Sequence, residues 1–190
     1  MNIILASNSP RRKELLTLAG INYKVIPSEC EEVIPLNSTP SQVVEELAKQ
    51  KAVDVYAKNQ NDIIISADTV VALGNIILGK PKNETDAFNM LSSLSGKIHT
   101  VYTGVCIKSK NMTDIFHCET KVEFYNLTNE EINDYIKTKE PMDKAGSYGI
   151  QGKGSLLVKG IQGDYFNVVG LPLAETIKHL KKFNSTFAMG

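Results

Sequence analysis

Two serines and two arginines stand together in the segment "LASNSPRRKELL", residues 5–16, between an apolar stretch and a predicted helix. Ser7 and Ser9 supply hydroxyl donors, and Arg11 and Arg12 supply permanently charged groups that suit phosphate. A helix N-terminus adds backbone N–H groups and partial positive charge. Because arginines in a first turn are unfavourable for the helix itself, the pair favours an anion-binding site over a serine cap with two solvated arginines.

A carboxylate comes from the segment "IIISADTVV", residues 63–71, where we expect Asp68 at the exit of an apolar strand, next to Thr69. In a phosphate site such a group holds a divalent cation or accepts a proton from an attacking water. The sequence leaves both roles open, beside that of a simple turn cap.

Three lysines carry weaker signals. Lys80 precedes a proline in "LGKPKN", whereas Lys49 and Lys51 lie in a predicted helix. Since most lysines are exposed, a solvated surface position is the simpler interpretation for each of them.

The glycine-rich stretch over residues 143–158 is not a phosphate-binding P-loop. Five residues separate Gly146 from Gly152, one more than that motif allows, and Gly154 stands where the motif needs Ser or Thr. Gln151 in this stretch offers a paired donor and acceptor that suit the edge of a base.

The spacing of the histidines and cysteines indicates no metal site, catalytic triad or disulfide framework. Metal ligands and catalytic triads need recognisable constellations, and disulfide frameworks usually need an even number of cysteines. We therefore expect none of these from the three histidines and three cysteines, which are His99, His117, His179, Cys30, Cys106 and Cys118.

Helix and strand signals alternate along the chain, which predicts an α/β fold. Pro10 and Gly20 bound the first helix, Asn83 caps another, and Thr128 with Glu131 forms a capping-box pattern. Predicted helices cover residues 10–19, 40–57, 83–94, 128–139 and 171–183. Predicted strands cover residues 2–6, 23–27, 62–81 with a turn at Gly74-Asn75, 99–109 and 112–125, followed by a glycine-rich loop with short strands.

Composition describes a protein with a sizeable core and no overall charge. The chain has 190 residues, 42% of them hydrophobic, and 21 basic residues balance 21 acidic ones. Such a chain has no global field to attract nucleic acid or an anionic membrane. Without a signal peptide pattern or a long apolar run, we expect a soluble, cytoplasmic protein.

Together these segments resemble the Maf family of nucleoside triphosphate pyrophosphatases. The resemblance extends from about residue 3 to 183 and rests on "LASNSPRRKELL", "LAKQKA", "SADTVV", "GKP", "YTGV", "EPMDKAGSYGIQGKG" and "GDYFNVVGLPL", in the family's order. It implies a curved mixed β-sheet flanked by helices, with two lobes and a cleft between them. It also implies a homodimer. The length of the chain suits a single Maf-like domain over residues 1–183, and the small, polar residues 184–190 predict a flexible tail.

The activity implied by the resemblance is metal-dependent hydrolysis of a nucleoside triphosphate to the monophosphate and pyrophosphate. The form "YGIQG" resembles the branch that acts on dTTP and UTP rather than the branch that acts on 7-methyl-GTP. Modified pyrimidine triphosphates are also plausible substrates, and the family has been linked to arrest of cell division.

Residue roles follow from the same resemblance, position by position. Asp68 is the implied proton acceptor and, with Glu32, the implied ligand of Mg²⁺ or Mn²⁺, with the adjacent Glu31 as the alternative to Glu32. The implied phosphate-binding residues are Ser7, Arg11, Arg12, Lys51 and Lys80, and those for substrate choice are Arg12, Thr69 and Gln151.

Two rival functions remain at this stage. One is a nucleotide-binding regulator of division without significant turnover, which would tolerate loss of Asp68. The other is an inosine triphosphate pyrophosphatase of related fold, which the glycine-rich loop disfavours.

Overall fold

The computed structural model describes residues 1–183. Within them the strands are β1 (Ile3–Leu5), β2 (Tyr23–Val25), β3 (Ile63–Leu73), β4 (Ile76–Leu78), β5 (Ile98–Lys108), β6 (Thr113–Phe124) and β7 (Val158–Gln162). The α-helices are α1 (Pro10–Leu18), α2 (Pro40–Lys58), α3 (Glu84–Leu94), α4 (Asn129–Lys137), α5 (Tyr165–Val169) and α6 (Leu173–Leu180). The expected tail at 184–190 lies outside the described residues.

The strands form one mixed sheet of seven members in the order β2-β1-β3-β5-β6-β7, with β4 paired to β3. Strand β1 is parallel to both of its neighbours, since Ile3 pairs with Tyr23 and with Ile63. Strands β3 and β4 are antiparallel, as are β6 and β7. This mixed sheet, flanked by helices, confirms the predicted α/β class.

Local signals placed several boundaries correctly. Leu73 pairs with Ile76, so the turn is the predicted Gly74-Asn75 pair. The Asn83 side chain accepts a hydrogen bond from the backbone N–H of Asp86 at 2.9 Å and caps α3. The capping box that begins α4 is present, with both Thr128 and Glu131 side chains accepting backbone N–H groups.

One compact unit comprises Met1–Asp68, Thr103–Cys118 and, of the described residues, 170–183. Its core packs α2 against the first strands because the apolar residues of that helix recur at helical spacing. The buried cluster contains Ile4, Ala6, Ala48, Ala52, Val55, Ile64 and Cys106. This cluster therefore packs α2 against β1, β3 and β5.

A second compact unit comprises Thr69–Tyr102 and Glu119–Val169. Its core joins α3 and α4 to the apolar faces of β5 and β6. The buried cluster contains Val71, Ala87, Leu91, Leu94, Val101, Val122, Phe124, Ile132, Tyr135, Ile136, Tyr148 and Leu157. The single domain expected over residues 1–183 stays a prediction.

Three expectations about local structure were wrong. Asp68 does not lie at a strand exit, because β3 continues through it to Leu73 as the apolar residues resume. The segment from Glu140 to Gly170, expected as a loop with short strands, contains the short strand β7 but also three short 3₁₀ helices, Glu140–Asp143, Ala145–Ser147 and Gly152–Leu157, and the helix α5. The last helix covers only Leu173–Leu180, because Pro172 disfavours helix in the preceding residue and the final turn closes with shorter-range bonds.

Candidate active site

The segment between β1 and α1 carries the first predicted residues. Ser9 is the N-cap residue of α1, but its side chain makes no capping hydrogen bond. The buried Ser7 hydroxyl instead accepts from the backbone N–H of Ser9 at 3.2 Å and from Arg12 Nη1 at 3.2 Å. Ser7 therefore orients the segment and one arginine.

Arg12 is held at two points. Besides its contact with Ser7, its Nε donates to the backbone carbonyl of Gly170 at 2.8 Å. Burial lowers the pKa of the Arg12 guanidinium, and the neighbouring Asp68 carboxylate opposes this by raising it. Arg11 lowers and Glu32 raises the same pKa. Since a guanidinium stays protonated in proteins, Arg12 provides a fixed positive charge close to two carboxylates.

The two carboxylates converge on one lysine. Lys51 Nζ lies 2.5 Å from Asp68 Oδ1 and 2.9 Å from Glu32 Oε1. The Lys51 and Asp68 side chains are only 16% and 15% exposed, whereas Glu32 is 48% exposed. We call Arg12, Glu32, Lys51 and Asp68 the charged cluster; all four belong to the first unit.

The surface interpretation of Lys51 was therefore wrong, because the side chain is largely buried between two acids. The same interpretation is right for Lys49, whose side chain is 49% exposed and pairs with Glu46 at 3.4 Å. These two lysines of α2 point to different environments although they are two positions apart. Helical spacing explains the difference, because residues i and i+2 do not share a face.

Arg11 and Glu31 also belong to the first unit, whereas three predicted residues belong to the second. Thr69 follows Asp68 in β3 and is half-buried, while Lys80 and Gln151 are exposed. The segments that carry the latter two are linked, because the backbone N–H of Gly146 donates to the carbonyl of Gly79 at 3.0 Å. The structure thus brings together most of the predicted residues of the first unit, and separately joins the Lys80 and Gln151 segments.

Sequence reasoning did not single out Glu140 or Tyr135, whose side chains hold the backbone around Gln151. Tyr135 donates to Glu140 at 3.0 Å, and Glu140 accepts from two backbone N–H groups of the glycine-rich stretch. Glu140 opens the segment "EPMDKAGSYGIQGKG", which carries part of the family resemblance, but no spacing or charge pattern assigns it a role.

The donor set for a metal is small. Within residues 1–183, no group of three or more His, Cys, Asp or Glu side chains is placed to hold a metal ion. Glu32 and Asp68 nevertheless already direct carboxylate oxygens at one cation, the Lys51 ammonium. Mg²⁺ sites often use only one or two carboxylates and take their other oxygens from water and substrate phosphates, so this pair fits such an ion.

The structure defines a mixed α/β protein with a charged cluster next to the start of α1, and the sequence identifies its family. A family model described as "Maf-like protein" matches residues 2–183. The chain belongs to this family.

Relatives are similar along almost the whole chain. Proteins from a strain of Bacillus cereus and from Bacillus thuringiensis subsp. konkukian are 57% and 56% identical over 182 residues. Each alignment covers 96% of this chain and 95% of the relative, and both relatives are named dTTP/UTP pyrophosphatase.

Among solved structures, the Staphylococcus aureus Ham1 protein has a TM-score of 0.45 and 17% sequence identity, covering 66% of this chain and 73% of its own. That similarity is too low to support an argument about the site. No helix within residues 1–183 is long and apolar enough to cross a membrane.

Proposed function

We propose that this protein hydrolyses dTTP and UTP to the nucleoside monophosphate and pyrophosphate. The observation that carries the proposal is the charged cluster, in which Arg12 and Lys51 accompany two carboxylates directed at one cation position. The names of relatives more than half identical to this chain support the substrate class. Modified pyrimidine triphosphates are included in the proposal.

The proposed reaction is attack of water on the α-phosphorus. A bond forms between the water oxygen and that phosphorus, the bond from the α-phosphorus to the bridging oxygen breaks, and pyrophosphate leaves with the bond's electron pair. We assign Asp68 as the acceptor of the water's proton. Its largely buried carboxylate is held by Lys51, so its orientation is fixed before substrate binds.

Phosphate binding is assigned to the basic and hydroxyl groups around α1, α2 and the segment after β4. A triphosphate brings about four negative charges to a protein without net charge, so local cations must offset them. Arg12 is supported best, because Ser7 and Gly170 fix its guanidinium in place. The proposed set is Ser7, Arg11, Arg12, Lys51 and Lys80.

We assign Asp68 and Glu32 as the residues that would hold Mg²⁺ or Mn²⁺. Glu32 is preferred to Glu31 because its carboxylate already contacts Lys51. A bound divalent ion would polarise the phosphate and lower the pKa of water. Lys51, which contacts both carboxylates, would offset part of their negative charge beside such an ion.

Base choice is assigned to Gln151, with Thr69 and Arg12. The exposed Gln151 amide offers a donor and an acceptor, which complement the carbonyl and N–H of a uracil or thymine edge.

We further propose a cytoplasmic homodimer whose partner is the nucleotide rather than nucleic acid or a membrane. Light scattering of the purified chain measures the oligomeric state directly.

A substrate panel tests the proposal. Pyrophosphate release is measured from pyrimidine and purine triphosphates with Mg²⁺ or Mn²⁺, using wild type, Asp68→Asn and the control Asp62→Asn. We expect turnover of dTTP and UTP by wild type and the control, and a loss of about 10³-fold in Asp68→Asn. Nucleotide binding by folded wild type without turnover of any triphosphate would instead support the regulator of division.

A further inference from the structure

The carboxylate of Glu140 lies against the backbone that follows Gln151. Its Oε2 accepts the backbone N–H of Lys153 at 3.1 Å, and its Oε1 accepts that of Gly154 at 3.2 Å. We call residues 149–154 the Gln151 loop. Both carboxylate oxygens of Glu140 are thus used to hold the C-terminal half of this loop.

Tyr135 holds the other half of the loop through the same network. Its hydroxyl donates to Glu140 Oε1 at 3.0 Å and accepts the backbone N–H of Gly149 at 3.1 Å. The ring is buried in the core of the second unit, and burial raises the pKa of the phenol. The hydroxyl therefore stays protonated and able to donate at neutral pH.

The glycines of the loop allow this close approach. Gly152 has a φ of +64°, and a Cβ there would lie 2.9 Å from Glu140 Oε2. A Cβ on Gly154 would lie 2.1 Å from the Gly149 carbonyl oxygen and 2.6 Å from the Tyr135 hydroxyl. The positive φ favours glycine at position 152, and the approach to the Gly149 backbone requires it at position 154, so the backbone on the C-terminal side of Gln151 is closely packed.

Gln151 itself is exposed between these two attachment points. An amide that reads a base edge must present its donor and acceptor in one orientation, and misplacement by about 1 Å costs up to 10²-fold in kcat/KM. Side chains that lock the backbone on both sides supply that orientation before the substrate binds.

We propose that Glu140, acting with Tyr135, is a positioning residue that fixes the Gln151 loop and thereby sets the preference for pyrimidine triphosphates. The inference rests on the proposed function and deepens it. Glu140 touches no reacting atom, because its oxygens are engaged by Tyr135 and by the loop backbone. Its effect must therefore pass through the placement of Gln151.

The test uses two conservative changes with a matched control. Glu140→Gln keeps the shape of the side chain but replaces one acceptor oxygen by an NH₂ group that faces a backbone N–H. Tyr135→Phe removes only the hydroxyl. Glu131→Gln is the control, because Glu131 also accepts a backbone N–H but does so at the start of α4. Folding is checked by thermal unfolding.

For Glu140→Gln and Tyr135→Phe we expect KM for UTP and dTTP to rise about tenfold while kcat changes little. The ratio of kcat/KM for UTP to that for ATP falls by a similar factor, and the control keeps the wild-type ratio. We also expect the backbone amides of the Gln151 loop to exchange hydrogen faster in both variants than in wild type. If both variants fold and keep the wild-type ratio of kcat/KM for UTP to that for ATP, the inference is overturned. The pyrophosphatase proposal is unaffected by that result as long as wild type turns over UTP.

A double-mutant cycle tests the route through Gln151. In the Gln151→Ala background, Glu140→Gln should have no further effect on the UTP-to-ATP ratio. Additive effects would show that Glu140 acts independently of Gln151 and would overturn the inference, as would wild-type selectivity in Gln151→Ala. Absence of triphosphate turnover by wild type would instead contradict the proposed function.

Discussion

The charged cluster and the Gln151 loop are built in different ways. In the charged cluster, side chains from two helices, a loop and a strand meet through opposite charges, with Lys51 between Glu32 and Asp68. In the Gln151 loop, side chains hold backbone N–H groups, and glycines remove the atoms that would prevent this. The first arrangement supplies charge for phosphate chemistry, whereas the second supplies a fixed shape for recognising a base.

Removing Lys51 should damage the charged cluster most. Lys51→Met leaves Glu32 and Asp68 without their shared cation and removes a phosphate-binding charge, so we expect kcat/KM for UTP to fall about 10³-fold. Lys49→Met, in the same helix, is the matched control and should retain activity, because Lys49 is half exposed and, among the contacts described, pairs only with Glu46. Steady-state kinetics at fixed salt measures kcat/KM for UTP in both variants. Equal losses of kcat/KM in Lys51→Met and Lys49→Met would argue against a special role for Lys51.

The second unit should respond to acid through His99. This residue is buried, 1% exposed, and its Nε2 shares a hydrogen bond of 2.8 Å with the Tyr148 hydroxyl. Burial lowers the pKa of His99 from 6.5 to about 4. Between pH 6.5 and about 4, His99 is therefore protonated in the unfolded chain but not in the folded chain. The free energy of unfolding consequently falls as the pH drops through this range.

That contribution amounts to at most about 3 kcal/mol. Thermal unfolding between pH 7 and pH 4 measures it, with His99→Gln as the variant that cannot titrate at this position and wild type as the reference. We expect the melting temperature to depend less on pH in His99→Gln than in wild type. The same dependence of the melting temperature on pH in wild type and His99→Gln would contradict the assignment to His99.

A smaller effect is expected from Arg12→Lys, which keeps the charge but loses the forked geometry that reaches both Ser7 and Gly170. We expect kcat/KM for UTP to fall about tenfold, because a lysine does not replace an arginine that makes two directed hydrogen bonds. Lys13→Arg in the same helix serves as the control. Full activity of Arg12→Lys would show that position 12 needs charge alone.

Local features were predicted well because they depend on neighbouring residues. The Asn83 cap, the Thr128 capping box and the two-residue turn after Leu73 need only a short segment to be recognised. Asp68 was misplaced because a polar pair in an apolar run resembles a strand end, although β3 continues through it.

Contacts between distant segments had no local signal. Arg12 and Gly170 are 158 residues apart in the sequence. The acceptor is a backbone carbonyl, which every residue has, so no sequence pattern marks it. The burial of Lys51 depends on Asp68 and Glu32 reaching it from other elements, so helix periodicity alone favoured a surface position. Glu140 likewise resembles an exposed acid until the Gln151 loop folds against it.

The most direct test of the proposed reaction is to turn over UTP in water labelled with a heavy oxygen isotope and to locate the label by mass spectrometry. Attack on the α-phosphorus predicts the label in UMP and none in the pyrophosphate released. Label in pyrophosphate, or release of inorganic phosphate from the γ-position, would contradict the reaction assigned to the charged cluster.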